Sequence, residues 1–287
     1  MIDALPTRRD EAWKYSDLRA ALREDALVLR PGRDIIERLA PGVERITVGP
    51  GETRTLVEIM DGAAFDARAV EIDIAAGGAV QRVIVQTGTA PVLSMARVAL
   101  GEGAAFRQFI YAEGAKLARI ETHVAVGGPQ AHVGLDGAYL VGAGRHADLT
   151  SVIDMQAPHG QARQLIKGAA RRGGRGVFQG KIHVARAAQK TDARQHHHAL
   201  MLEEGAEIDA KPELEIYADD VACAHGNACG GLDAQALFYL RARGIPEAQA
   251  RALLVEAFVA EALPDWLPGE TRSAIETRIA AWLEAAP

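Results

Sequence analysis

The sequence predicts a mainly β protein with helical segments at both ends, and three observations support this prediction. Between about Val43 and His225, apolar and polar residues alternate in many short runs, such as the one from Val70 to Ile74. A period of two is the pattern of a strand with one buried face. Glycines separate these runs, and after Asp233 the apolar spacing becomes helical.

The composition is that of a folded protein with a large core. The chain has 287 residues, of which 48% are hydrophobic, and only two cysteines. Two cysteines do not make a disulfide framework and indicate reduced thiols. The first residues lack the apolar core of a signal peptide, and no apolar run reaches the ~18 residues that span a membrane. We therefore expect a cytoplasmic protein without a membrane segment.

Charge is distributed unevenly along the chain. Residues 145–195 hold ten Lys/Arg and three Asp/Glu, whereas residues 196–287 hold six and sixteen. This division suggests partner surfaces, although a solvated face is the commoner explanation. Arg171, Arg172 and Arg175 alternate with glycines but lack interleaved aromatic residues, so we interpret them as a strand end and a turn. Nucleic acid binding is not expected.

An N-terminal helical segment is predicted over residues 1–42. The spacing of Trp13, Leu18 and Leu22 predicts a helix from Arg8 to about Arg23, and a second, short helix is predicted from Arg33 to Leu39.

The central region, residues 43–232, contains evenly spaced candidate strands. They begin near residues 69, 81, 92, 105, 118, 131, 147, 162, 177, 195 and 213. An antiparallel sandwich or barrel would satisfy the alternation. A β-solenoid with two strands per coil would also satisfy the even step. The residues alone leave these architectures open.

Three helices are predicted in residues 233–287. Asp233 can cap the first helix and Gly244 can close it. Pro246 suits the first position of the second helix, and the third helix is predicted from about Gly269.

The segment from Asp209 to Asp233 contains both cysteines, Cys223 and Cys229, around His225, and we interpret this part of it as a loop. Sulfur and imidazole are ligands for iron, zinc or an iron–sulfur cluster. If the segment is extended, Cys223 and His225 face the same side. The competing interpretations are a histidine satisfied by a backbone carbonyl and a buried, apolar Cys223.

A second group of metal-ligating residues is the run His196, His197 and His198. In a strand only His196 and His198 could share a metal site, and a solvated histidine run is the simpler interpretation. The chain has neither a complete dinucleotide fingerprint nor a Walker-type lysine loop. Any ATP hydrolysis is therefore expected from a partner.

Several motifs, in order along the chain, resemble the SufD scaffold subunits of the SufB/SufD family of iron–sulfur cluster assembly proteins. The matching segments are Glu11–Leu18 (EAWKYSDL), Gly176–Ile182 (GVFQGKI), Ala188–Ala193 (AQKTDA), Lys211–Val221 (KPELEIYADDV), Cys223–Gly226 (CAHG) and Leu237–Ile245 (LFYLRARGI). The resemblance spans nearly the whole chain.

This resemblance implies a right-handed parallel β-helix and a non-catalytic scaffold role. It implies pairing with a SufB-like subunit through the β-helix ends and binding of a SufC-like ATPase through the C-terminal helices. His225 and Cys223 are implied as ligands of iron or of a transient iron–sulfur cluster shared with the partner. No directly bound nucleotide is expected, and a homodimer is possible in isolation.

The chain departs from the family pattern in two places. Relatives usually carry a larger N-terminal helical region before the Trp-Lys-Tyr motif, so that region is expected to be reduced or absent here. Where relatives tend to have asparagines, this chain has His196 to His198, and Cys229 has no counterpart in the family motif.

Two alternatives remain open from the sequence. A carbohydrate-active β-solenoid enzyme would need clustered carboxylates, for which Asp136, Asp148 and Asp154 are scattered candidates. A self-assembling homo-oligomer would form a stable complex without recruiting an ATPase.

Overall fold

The fold is a parallel β-helix flanked by helices. The structure, a computed structural model, describes residues 4–23, 25 and 27–285. The strands are β1 (Val43–Val48), β2 (Thr53–Met60), β3 (Asp66–Ile74), β4 (Ala79–Gln86), β5 (Val92–Leu100), β6 (Ala105–Ala112), β7 (Ala118–Val126), β8 (His132–Val141), β9 (His146–Met155), β10 (Gln161–Ala170), β11 (Arg175–Val184), β12 (Asp192–Met201), β13 (Glu207–Ile216) and β14 (Ala222–Gly230).

The strands alternate between two parallel sheets. Sheet A has the order β1-β3-β5-β7-β9-β11-β13, and sheet B has the order β14-β12-β10-β8-β6-β4-β2. Each coil therefore contributes one strand to each sheet. This arrangement confirms the parallel β-helix and the prediction of two strands per coil, and it excludes the antiparallel sandwich or barrel.

The interior is built from rows of stacked apolar side chains. In sheet A, Ile72 pairs with Val98, which continues through Val124 and Ile153 to Ile182. All five side chains are buried. Burying an aliphatic side chain contributes about 1.5–3 kcal/mol, so the alternation in each strand stabilises the coil above and below it.

The predicted strand starts match β3 to β12 within three residues, and the start near residue 213 falls inside β13. The interpretation of the Cys223 region as a loop is wrong, because Ala222–Gly230 forms β14. Its small residues have little strand propensity. Pairing with β12 supplies the hydrogen bonds that fix this segment as a strand.

The single helix predicted from Arg8 to Arg23 is also wrong, for the part that the structure describes. A 3₁₀ turn at Glu11–Trp13 and the short α1 (Leu18–Ala21) replace it. Trp13 lies against the guanidinium of Arg119, 4.2 Å from the ring centre. These tertiary contacts override the local helical pattern. The second helix, α2 (Ile35–Leu39), begins after the capping residue Asp34.

Three helices follow β14: α3 (Ala234–Ala242), α4 (Glu247–Ala260) and α5 (Gly269–Glu284). The carboxylate of Asp233 caps α3 by accepting hydrogen bonds from two backbone amides. Pro246 occupies the position before α4 rather than its first turn. Residues of α4 and α5 form one apolar cluster with the outer face of sheet B, including Phe109 and Leu140. Among the helices in the described residues, none has the length and apolar character needed to cross a bilayer.

Candidate functional site

The predicted ligands lie on an edge strand at the C-terminal end of the β-helix. Strand β14 pairs with β12 on one side and is the last strand of sheet B. An edge strand exposes backbone amide and carbonyl groups that can pair with another chain. Cys223 and His225 are therefore placed at an end of the molecule where a second protein can reach them.

Cys223 and His225 face the interior side of this strand. The strand register places Cys223 opposite Ala193 and His225 opposite Gln195, both of which are buried inward-facing residues. Residues two apart on a strand share a face and lie about 7 Å apart along it. Because no further coil covers them, His225 is exposed and Cys223 is only half-buried.

Cys223 also belongs to the apolar interior, since it packs against the core cluster. Burial raises the pKa of its thiol, and the nearby Asp192 carboxylate raises it further. A backbone hydrogen bond from Ala193 acts in the opposite direction. The thiol is thus protonated at neutral pH, and ligation of a metal would have to release that proton.

Two further residues, Asn227 and Cys229, share this interior face. The sequence analysis named Cys229 without assigning it a role and did not identify Asn227. They lie opposite His197 and Ala199 in the register. The Cys229 thiol lies 3.8 Å from Oδ1 of Asn227, and burial raises its pKa. Six residues of strand separate Cys229 from Cys223 by about 20 Å, so the two thiols cannot bind one ion together. The odd-numbered spacing 223, 225, 227, 229 is the signal that could have identified this face.

The histidine run divides between the two faces of β12. His196 and His198 lie on the outer face, with ring centres 6.1 Å apart. His197 points into the coil and is fully buried. The interpretation as a solvated run is therefore wrong for His197, because strand alternation turns it into the core.

His197 connects the core to the edge strand. Its Nδ1 lies 2.8 Å from Oδ1 of Asn227, and its Nε2 lies 2.9 Å from the hydroxyl of Tyr139. The ring stacks on Phe178, with centres 4.9 Å apart. Burial lowers the pKa of His197 to about 4, so the imidazole is neutral. Because the amide oxygen of Asn227 can only accept, Nδ1 of His197 donates a hydrogen bond to it. Nε2 of His197 accepts a hydrogen bond from the hydroxyl of Tyr139.

The donor set on β14 is incomplete for a bound metal. In the part of the chain that the structure describes, no group of three or more His, Cys, Asp or Glu side chains is arranged to hold an ion. Cys223 and His225 can supply at most two ligands from this face, and a tetrahedral site requires four. Iron or a cluster at this position would be cargo whose remaining ligands come from elsewhere.

The last strand of sheet A forms the other side of this open end. Strand β13 pairs only with β11, and Pro212, which has no amide hydrogen, is tolerated because β13 is an edge. Its end carries two exposed apolar side chains, Ile216 and Tyr217. On the outer face, Lys211 forms an ion pair with Glu11 at 2.6 Å, which ties the N-terminal segment to this last coil.

The C-terminal helices present apolar side chains to solvent. Phe238 and Tyr239 on α3 are 73% and 56% exposed, and Leu253 on α4 is 41% exposed. We call these three residues the helical patch. Single exposed apolar residues are ordinary, but two adjacent exposed aromatic residues on one helix are typical of a protein contact.

The three carboxylates considered for a carbohydrate-active enzyme are not brought together. Asp136 lies on β8 in sheet B, whereas Asp148 and Asp154 lie at different positions of β9 in sheet A. Asp148 is buried against Arg119 at 2.8 Å, and Asp154 binds His183 at 2.6 Å. These positions do not form a pair of carboxylates along one groove.

A comparison with protein families identifies the fold. The family model described as SUF system FeS cluster assembly, SufBD core domain, matches residues 42–258. The chain belongs to the SufBD family of iron–sulfur cluster assembly proteins. The match covers all fourteen strands of the β-helix and extends into α4.

Curated relatives agree with this assignment. The chain is 47% identical over 100 residues to iron–sulfur cluster assembly protein SufD of Escherichia coli, covering 35% of this chain and 24% of the relative. It is 43% identical over 132 residues to a SufBD family protein of Synechocystis, covering 46% and 29%. A SufBD family protein of Mycobacterium tuberculosis is 31% identical over 200 residues, covering 67% and 50%.

The chain thus matches between about a quarter and half of the length of these relatives. The relatives named SufD, from Escherichia coli and Bacillus subtilis, support a SufD-type member of the SufBD family with a role in Suf-system cluster assembly.

Proposed function

We propose that this chain is a non-catalytic scaffold subunit that presents His225 at a junction with a SufB-like subunit. The observation that carries the proposal is the position of His225, exposed on the interior face of an edge strand that is paired on one side only. A partner coil stacked on β13 and β14 would satisfy their free backbone groups and enclose this face. Iron and sulfide would then assemble as cargo between the two subunits.

In this proposal His225 is the first ligand, and Cys223 is the second. Neutral imidazole is a suitable ligand for iron, whereas the raised pKa of Cys223 delays its participation. The partner supplies the remaining ligands. Because these ligands come from two chains, the cluster is shared and can be passed on.

The C-terminal helices are proposed to bind a SufC-like ATPase through the helical patch. Helix α4 contacts β10 of sheet B, where Lys167 binds Glu261 at 2.6 Å and lies 4.1 Å from the ring centre of Phe258. These contacts connect the helices to the sheet that ends in β14. Movement of the ATPase would be transmitted along this path to the subunit junction.

The decisive experiment is cluster assembly on the reconstituted complex with His225→Ala. We expect the complex to co-purify normally and to lose the visible absorbance of a newly formed cluster. The matched control is His132→Ala, which removes an exposed histidine from β8, far from the edge. Normal cluster yield with His225→Ala would refute the role of His225.

Docking of the ATPase is tested separately with Phe238→Ala and Tyr239→Ala. Both variants should lose co-purification of the ATPase while the SufB-like subunit remains bound, because the two contacts lie on different surfaces. Val57→Ala, which truncates an exposed apolar residue on β2, is the control. Unchanged ATPase binding by both aromatic variants would contradict this part of the proposal.

A further inference from the structure

The outer face of β12 carries a second pair of metal-ligating side chains, His196 and His198. We propose that these two imidazoles bind a divalent transition metal ion of the zinc and nickel class. The site is separate from Cys223 and His225, because those residues lie on the opposite face of sheet B, one strand away. It does not depend on the proposed scaffold role.

Both imidazoles are free to coordinate. Neither His196 nor His198 makes a hydrogen bond to any other residue in the described part of the chain, in contrast to His197 between them. Imidazole binds a metal in its neutral form. Burial lowers the pKa of His198, with smaller contributions from Lys167 and His196, and this favours the neutral form.

The geometry requires only a small adjustment. Two imidazoles on one zinc ion, each about 2.0–2.1 Å from it, place their ring centres roughly 5 Å apart in tetrahedral geometry. The centres of His196 and His198 are 6.1 Å apart and their planes are tilted by 54°. Side-chain rotation of half-buried residues can close this difference without moving the strand.

Strand β14 places only small side chains beside the pair. Gly226 pairs with His196, and a Cβ atom on this glycine would lie 2.9 Å from Nδ1 of His196. Along the outer face of β14 the neighbouring side chains are Ala224 and Ala228, which are also small. Nδ1 of His196 therefore lies over the backbone at Gly226, and no side chain at that position covers it.

The nearest cation does not prevent metal binding. The ammonium group of Lys167 lies close enough to His198 to affect its pKa, but it is neutralised by Glu261 at 2.6 Å. Its other side is covered by the ring of Phe258. Two protein ligands leave the other positions to water, so we expect weaker binding than at a closed structural site.

The test is calorimetric titration of tag-free protein with Zn²⁺ alone and, separately, with Ni²⁺ alone. We expect one site that weakens by roughly tenfold to a hundredfold or more in His196→Asn and in His198→Asn, since a ligand matters at least as much as a residue that supports it. His132→Asn, at an exposed histidine of β8, should bind as the unmodified protein does. Equal affinity in all three variants and the unmodified protein would overturn the proposal.

A second measurement keeps the test valid if a variant folds poorly. Imidazole resonances of the unmodified protein, followed by NMR during the Zn²⁺ titration, should shift for His196 and His198 together. The resonances of His197 should not shift, because its ring is buried and both of its nitrogens are hydrogen-bonded. Shifts at other histidines, with none at this pair, would assign the metal to another place and reject the inference.

Discussion

The hydroxyl of Tyr139 lies 2.9 Å from Nε2 of His197, although the two residues are on strands separated by a third. The contact is possible because the intervening strand β10 has Gly168 opposite Tyr139. The ring crosses the space that a side chain would fill, and His197 continues the contact to Asn227 on the edge strand. A core residue thus supports the strand that carries His225.

Removing this support should destabilise the protein. His197→Ala loses the hydrogen bonds to Tyr139 and Asn227 and the stacking on Phe178, which we expect to reduce the free energy of unfolding by about 2–4 kcal/mol. Tyr139→Phe leaves the buried Nε2 without a partner and should cost about 1–3 kcal/mol. Urea unfolding measures both. His132→Ala is the exposed control, and a loss no larger than that of the control would show that the contact contributes nothing.

The second prediction concerns Gly168, whose missing side chain leaves room for the ring of Tyr139. A Cβ atom there would lie 1.9 Å from the ring of Tyr139. Neither the buried tyrosine ring nor the paired strands can move far enough to remove this clash. Gly168→Ala should therefore cost about 3 kcal/mol or prevent folding. Gly142→Ala has no atom within 4 Å of the added carbon and should be nearly neutral. Thermal unfolding of the two variants, compared side by side, tests the prediction, and equal melting temperatures would contradict it.

The sequence pattern was sufficient to locate a strand where that strand has one buried face and a paired strand on both sides. The alternation around Ile72 and Val124 is a direct consequence of stacking in the coil, so it locates β3 and β7 correctly. It does not distinguish a solenoid from a sandwich, because both bury alternate residues. The solenoid is distinguished from the sandwich by the parallel pairing of each strand with the strand two further along the chain, which only the structure shows.

Pattern failed at the ends of the β-helix. Strands β1 and β14 each have a partner on one side only, and β14 is made of small residues without alternation in size. Nothing local distinguishes such a segment from a loop, since its conformation comes from the strand beneath it. The helix predicted near Trp13 failed for a related reason, because contacts with sheet A determine its path.

The candidate site was partly predictable. The spacing of Cys223 and His225 predicts a shared face, and the family motif directs attention to both. The inward position of His197 could have been inferred from the alternation Ala193, Gln195, His197, Ala199 within its strand. The contact with Tyr139 could not, because it joins residues 58 positions apart in the chain.

Acid should lower the stability of the fold through Glu121, which lies on the outer face of sheet A. Burial alone would raise its pKa, but Arg119 at 2.7 Å and His123 lower it to about 2, below the ordinary value of 4.5. A lowered pKa stabilises the fold above pH 4.5, and that contribution is lost as the pH falls towards 2. It amounts to a few kcal/mol at most.

The corresponding test is Glu121→Gln, with unfolding followed between pH 6 and pH 3. The free energy of unfolding should fall less steeply with acid in this variant, while Arg119 keeps its bond to Asp148. Glu204→Gln, which changes an exposed carboxylate, should retain the steep dependence of the unmodified protein. Identical slopes in all three proteins would exclude a contribution from Glu121.

Asp136 should act in the opposite direction. Burial raises its pKa to about 7, although the backbone amide of Leu165 and the charge of Arg107 partly offset this. A raised pKa means that the folded state retains a proton that the unfolded state has already lost. The stabilisation is complete below about pH 3.8 and disappears as the pH rises through 7.

Asp136→Asn removes this titration and keeps an oxygen that can accept the Leu165 amide hydrogen at 3.2 Å. Between pH 5 and pH 8 the unmodified protein should lose stability relative to the variant, with a steady fall up to about pH 7 that levels off above it. Thermal unfolding across this range measures the difference, and Asp219→Asn, at an exposed aspartate, should follow the unmodified protein. If the variant and the unmodified protein change in parallel from pH 5 to pH 8, Asp136 is ionised throughout, and burial does not control its charge.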